Sequence, residues 1–157
     1  MNHKIAILSD IHGNTTALAG VLEDAKNLGA TEYWLLGDIF LPGPGANDLV
    51  ALLKGLPITA SVRGNWDDCV LEALDGQYGL EDPQEIQLLR MTQYLMERLN
   101  PEQIDWLRNL PMVAKKEVEG IAFFSFLIIY LRKITVVICW SKMVQKNLTS
   151  YLMKLQM

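Results

Sequence analysis

Three apolar runs, residues 4–9, 33–36 and 58–62, are too short for helices, and each gives way at once to a polar cluster. The first runs into Asp10-Ile11-His12-Gly13-Asn14, the second into Gly37-Asp38 and the third into Arg63-Gly64-Asn65-Trp66-Asp67. Between the first two, Leu18, Val21, Leu22, Ala25 and Leu28 recur at three- and four-residue intervals, which predicts a helix closed by Gly29. Between the second and third, the loop Pro42-Gly43-Pro44-Gly45 leads to a helix near residues 47–54. Strand and helix therefore alternate, and the expected fold class is α/β with parallel strands covered by helices. The carboxyl ends of neighbouring strands in such an open sheet converge on one rim, so the three polar clusters should meet there.

The alternation is then interrupted by a helical insert at about residues 82–109. Asp82-Pro83-Gln84-Glu85 and Asn100-Pro101-Glu102-Gln103 each supply a capping side chain, a proline at the first helical position and a Glu or Gln placed to close a capping box. The Leu, Met and Tyr pattern of residues 86–99 reads as ordinary helical packing. Residues 112–118 and 121–126 flank Glu119-Gly120, a predicted hairpin turn that opens a second sheet.

Two aspartates, a histidine and an asparagine amide are hard or borderline ligands, suited to Mn²⁺, Fe, Zn²⁺ or Mg²⁺ rather than to thiolate chemistry. A bridging carboxylate such as Asp38 can hold two metals ~3.5–4 Å apart, a spacing that activates water and neutralises a phosphoryl group in line, which points to phosphoester hydrolysis. Asp and Asn also follow strands simply because they make turns, but three such sites in order outweigh that explanation. His12, two residues beyond Asp10, is favoured as a ligand over a structural histidine, and His3 is left as a surface residue. Asn14 serves either to touch substrate phosphate or to cap the first helix, and Arg63 either touches phosphate or pairs with an acid. Asp67 is expected to cap the helix that follows in preference to orienting a neighbour, and Cys69 to be structural.

The ordered set Asp10-x-His12, Gly37-Asp38 with Gly43 beyond it, and Gly64-Asn65-x-Asp67 resembles the calcineurin-like metallophosphoesterases over residues 3 to about 125. Asp10-Ile11-His12-Gly13-Asn14 with Ala17 and Leu18 resembles in particular a small bacterial branch that includes phosphodiesterases and diadenosine tetraphosphate hydrolases. The resemblance implies two divalent metal ions, manganese foremost and Fe, Zn, Ni or Mg as alternatives. Asp10 and His12 would bind the first, Asp38 would bridge and Asn65 would bind the second. It implies a phosphodiester, phosphomonoester or dinucleoside polyphosphate as substrate, and a four-layer α/β/β/α sandwich of which this chain holds an incomplete set of strands. Many members carry a histidine that protonates the leaving group where Trp66 stands; an indole cannot supply that proton, so a good leaving group, or metal-bound water as the acid, is required. Members also use later histidines, one in a Ser-His-Asn segment and a pair in Gly-His-x-His, whereas His3 and His12 are the two histidines here. A non-catalytic remnant with a partial metal site is therefore the alternative function.

Composition changes abruptly near residue 120. All 18 acidic residues, all 11 glycines and all 6 prolines precede residue 121. Three readings compete for residues 126–157: a membrane anchor, an ordinary strand pair, or the product of a slipped reading frame. The apolar run from 121 to 131 is cut by Arg132 and Lys133, too early for a span of ~20 residues. A strand pair would lack the usual turn residues. Codons permitted for residues 126–137, read offset by two bases, can give Ser-His-Asn-Leu-Pro-Glu-Lys-Asn-Tyr-Gly-Arg, which makes the frame slip the preferred reading. An incomplete sandwich would leave apolar sheet surface exposed, so reduced stability and oligomerisation through the apolar C-terminal segment are expected. A net charge of −4 argues against a stable nucleic-acid complex, and no membrane association is expected. Two cysteines and no signal-like N-terminal pattern suggest a reduced, cytoplasmic setting.

Overall fold

Short strands and helices alternate from the start of the chain in the computed structural model, which describes residues 4–118, 121–125 and 138–139. In order they are β1 (Ile5–Leu8), α1 (Thr15–Asn27), β2 (Glu32–Leu36), α2 (Asn47–Leu53), β3 (Ile58–Val62), α3 (Asn65–Leu74), α4 (Pro83–Met96), α5 (Pro101–Arg108), β4 (Ala114–Val118), β5 (Ile121–Ser125) and β6 (Ile138–Cys139). One sheet has the order β3-β2-β1-β6, with β1, β2 and β3 parallel and β6 antiparallel to β1. A second, two-stranded sheet is the β4-β5 hairpin, in register from Ala114 opposite Ser125 to Val118 opposite Ile121. The α/β class with a parallel sheet is as expected.

Both faces of the first sheet are apolar, which explains why its strands read as continuous rather than alternating runs. Ala6, Leu8, Tyr33 and Leu35 pack with Leu18 and Ala25 of α1, Leu49 of α2 and Val70 of α3 in the main core. Ile5, Trp34 and Ala60 form a second cluster on the opposite face. On that side Lys116 of β4 reaches the Thr59 carbonyl at 3.4 Å and the buried Glu32 carboxylate at 3.7 Å, tying the hairpin to the sheet.

Helix starts follow local chemistry. Asn100 and Gln103 close the predicted capping box of α5, each side chain accepting the other's backbone N–H at 2.9 and 2.8 Å. The corresponding box at α4 does not close. Asp82 accepts the Gln84 N–H at 2.7 Å, but Glu85 turns instead to the N–H of Gly79, also at 2.7 Å, because the preceding bend offers a donor of its own. The hairpin strand begins at Ala114 rather than 112, and Met112 and Val113 are exposed. Its predicted turn, Glu119-Gly120, lies outside the described residues, as do His3 and, apart from Ile138–Cys139, the segment 126–157 on which the membrane, strand-pair and frame-slip readings fall.

Candidate metal centre

The loop after β1 continues the parallel ladder beyond the strands. The N–H groups of Asp10, His12 and Gly13 donate to the carbonyls of Gly37, Asp38 and Ile39 at 3.2, 2.8 and 2.9 Å. Asp10, His12 and Asp38 have φ of 55°, 50° and 52°, and among the described residues they are the non-glycine positions in the left-handed region. That conformation costs on the order of 1 kcal/mol or more per residue and is held here by the surrounding structure. Asp and His tolerate it better than most side chains. Two glycine contacts let the loops approach: a Cβ on Gly43 would sit 1.9 Å from the His12 carbonyl oxygen, and one on Gly37 would sit 2.3 Å from the Gly64 nitrogen.

Three chain segments thereby converge. Asp10, His12 and Asp38 each present a ligand atom, and the three atoms lie within 4.8 Å of one another. Nε2 of His12 is 3.8 Å from Oδ1 of Asp10 and 3.8 Å from Oδ2 of Asp38. Those gaps are too long for hydrogen bonds but match donors around a common cation, which at ~2.0–2.2 Å bond lengths stand roughly 3–4 Å apart. The other ring nitrogen, Nδ1, lies 2.5 Å from the Leu41 carbonyl oxygen. A carbonyl only accepts, so Nδ1 donates, and in the neutral ring the lone pair is on Nε2, facing the carboxylates. Two carboxylates and an imidazole so disposed fit a divalent first-row metal or Mg²⁺.

Asp38 is 3% exposed, and burial pushes its carboxyl above the usual range, while a 2.9 Å hydrogen bond from the Trp66 N–H to Oδ1 pulls the other way. Asp67 is 1% exposed. Its Oδ2 accepts the N–H groups of Asp38 and Gly64, both at 2.8 Å, and its Oδ1 accepts that of Ile39 at 3.1 Å. Burial nevertheless raises its carboxyl to about 6. Asp67 thus both closes the start of α3 and orients the Asp38 loop. The Trp66 indole stands edge-on to the His12 ring, centroids 6.1 Å apart.

The remaining predicted residues are placed as follows. Asn65 is the first residue of α3, between Gly64 and Trp66, both of which touch the Asp38 loop. Asn14 caps α1, its Oδ1 accepting the Ala17 N–H at 3.0 Å. Arg63 pairs with Asp68, Nε to Oδ1 at 2.6 Å, and its Nη1 donates to the carbonyls of Leu110 and Arg108 at 3.2 and 3.4 Å, joining the end of β3 to the end of α5. Cys69 is a half-buried free thiol whose pKa burial pushes up.

The sequence reading missed two features. The Leu41 carbonyl that orients His12 is backbone and carries no side-chain signature. Tyr94, read as helical packing, is 41% exposed, whereas its neighbour Leu95 is buried. With Arg98 it borders a groove of about 820 Å³ that reaches His12.

The family model described as calcineurin-like phosphoesterase matches residues 3–150, a span that runs past the composition change near residue 120. An uncharacterised protein of Methanocaldococcus jannaschii is 36% identical over 120 residues, covering 74% of this chain and 45% of that one. The crystal structure of a metallophosphoesterase from Sphaerobacter thermophilus is similar with a TM-score of 0.56 and 31% identity, covering 73% of this chain and 43% of its own. A hypothetical protein from Pyrococcus horikoshii is similar in fold, with a TM-score of 0.58 and 24% identity over 77% of this chain and 53% of its own. The chain spans about half the length of these relatives. Among the described residues no helix is long and apolar enough to cross a membrane.

Proposed function

The chain belongs to the calcineurin-like phosphoesterase family, and from that premise we propose that it hydrolyses a phosphodiester, phosphomonoester or dinucleoside polyphosphate. The family implies metal-dependent phosphoester hydrolysis. One observation carries the reading to this chain: the Nε2 lone pair of His12, oriented by the Leu41 carbonyl, converges with the carboxylates of Asp10 and Asp38.

In this reading Asp10, His12 and Asp38 hold one divalent ion, and Asp38 with the Asn65 amide oxygen holds a second. Manganese is the proposed metal, with Fe, Zn, Ni or Mg as alternatives. Cations held there supply charge neutralisation at the phosphoryl oxygens and acidify water enough for attack near neutral pH. The chain's own groups do the positioning. Asp67 fixes the backbone of Asp38 and Ile39, and the Trp66 N–H fixes one Asp38 oxygen. Asn14 spends its carbonyl oxygen on the helix cap and keeps its NH₂ to donate to a phosphate oxygen. Arg63 offers the same anion only through guanidinium nitrogens not engaged by Asp68 and the α5 carbonyls. Trp66 holds no transferable proton, which favours a substrate with a stable leaving group, such as a nucleotide. A cytoplasmic setting is part of the proposal.

Hydrolysis of bis-p-nitrophenyl phosphate, whose leaving group needs no acid, tests this. Turnover is expected to require Mn²⁺ and to fall at least about 100-fold in Asp38→Asn, since even residues that only support ligands are worth 10–100-fold. Turnover unchanged by chelation, or by Asp38→Asn, contradicts it.

A second reading, a non-catalytic chain with a partial, single-metal site, is favoured by the histidine count: His3 and His12 are the two in 157 residues. The frame-slip reading of residues 126–157 belongs with it. Metal stoichiometry separates the two, at two ions per chain for the enzyme and one for the partial site.

A further inference from the structure

We propose that the groove beside His12 takes the nucleoside part of the substrate, with its base stacked on the pair formed by Tyr94 of α4 and Arg98 just beyond its end; this rests on the phosphoesterase reading above. The groove is open to solvent and has a volume of about 820 Å³. That lies within the ~300–1,000 Å³ range of small-molecule sites and far exceeds what a phosphate group alone fills. His12 and Asn14 line it together with Tyr94 and Arg98 from the insert, and His12 also belongs to the Asp10–His12–Asp38 cluster, so an ester held at that cluster borders the groove.

Tyr94 and Arg98 are already paired. The Arg98 guanidinium carbon lies 3.6 Å over the centroid of the Tyr94 ring. Its Nη1 donates to the Tyr94 carbonyl at 2.8 Å and is 3.5 Å from a Glu97 carboxylate oxygen. A guanidinium already held over a ring by these contacts loses little further freedom when a base stacks beside it. The chemistry of the lining favours a base over a distal phosphate. Glu97 offsets the Arg98 charge, and Asp48 places a carboxylate in the groove that would repel a second anion. Asp48 already accepts the Thr15 hydroxyl and the Ala46 N–H, both at 2.8 Å, and its remaining lone pairs suit sugar hydroxyls. Stacking tolerates any base, since each has a π-face.

Adenosine tests the groove without engaging the metal site, because it carries no phosphate. Saturation-transfer NMR on the full chain is expected to show adenosine bound. Tyr94→Ala and Arg98→Ala should each weaken it about ten-fold, as loss of a base–aromatic stack does. Tyr94→Phe, which keeps the ring, should stay within about two-fold. No adenosine binding, or binding unchanged in both alanine variants, overturns the proposal. Mn²⁺ binding measured on the same samples is expected to be equal in all of them. Its absence from the unsubstituted chain would instead contradict the metal-site reading, and adenosine binding distinguishes that failure from failure of the groove.

Discussion

Oδ2 of Asp67 accepts the backbone N–H of Asp38 at 2.8 Å, across 29 residues of sequence. The same oxygen accepts the Gly64 N–H, and the second carboxylate oxygen accepts that of Ile39. A buried acid in the first turn of α3 is thus the common acceptor for the loops that follow β2 and β3. The most buried member of the candidate metal cluster therefore owes its position to a residue that belongs to no ligand set.

Asp67→Ala would strand three buried donors, each worth about 1–3 kcal/mol when left unpaired. Urea unfolding is expected to show a loss of about 3 kcal/mol or more. A loss below about 1 kcal/mol would contradict the role assigned to Asp67.

Glycine positions separate close approach from mere flexibility. Gly37 has φ +82° and its Cβ would meet the Gly64 nitrogen at 2.3 Å, whereas a Cβ on Gly20 in α1 meets nothing within 4 Å. Gly37→Ala should destabilise by about 2 kcal/mol or more. Gly20→Ala should stabilise by about 0.5–1 kcal/mol, the usual helix-interior difference. Thermal melts check both, and equal effects would refute the packing account.

Asp48 links α1 to α2. Hydrogen bonds from the Ala46 N–H and the Thr15 hydroxyl hold its carboxyl below the ordinary 3.8. A depressed folded-state pKa contributes stability above the unfolded value and loses it as pH falls through the folded one. Asp48→Asn is therefore expected to be less stable at neutral pH by about 0.5–1 kcal/mol, the size of an exposed capping or charged contact. That gap should close as pH drops below 3.8. A gap that widens in acid would contradict the assignment.

Much of this was legible in the sequence because backbone periodicity and turn chemistry are local. The strand Ile58–Val62 and the proline-led starts of α4 and α5 lie where their patterns put them. The meeting of Asp10, His12 and Asp38 follows from parallel strands ending on one rim, which topology alone predicts. What escaped depends on partners without a sequence signature. The Leu41 carbonyl acts through backbone, and Glu85 chose Gly79 over its own helix start. Tyr94 shares a periodic helix with Leu88 and Leu95, so its exposure depends on what the helix faces rather than on its pattern. For Asn14 and Arg63 the sequence allows two roles each, and the geometry adds a helix cap for the first and an ion pair with Asp68 for the second.

The central claim is that Asp10, His12 and Asp38 form a divalent-metal site. Titration of Mn²⁺ followed by the electron paramagnetic resonance signal of the free ion tests it most directly. Saturable binding is predicted for the unsubstituted chain, weakened about 100-fold or more in both His12→Ala and Asp38→Asn. Absence of saturable binding, or equal affinity in the two variants and the parent, would contradict it.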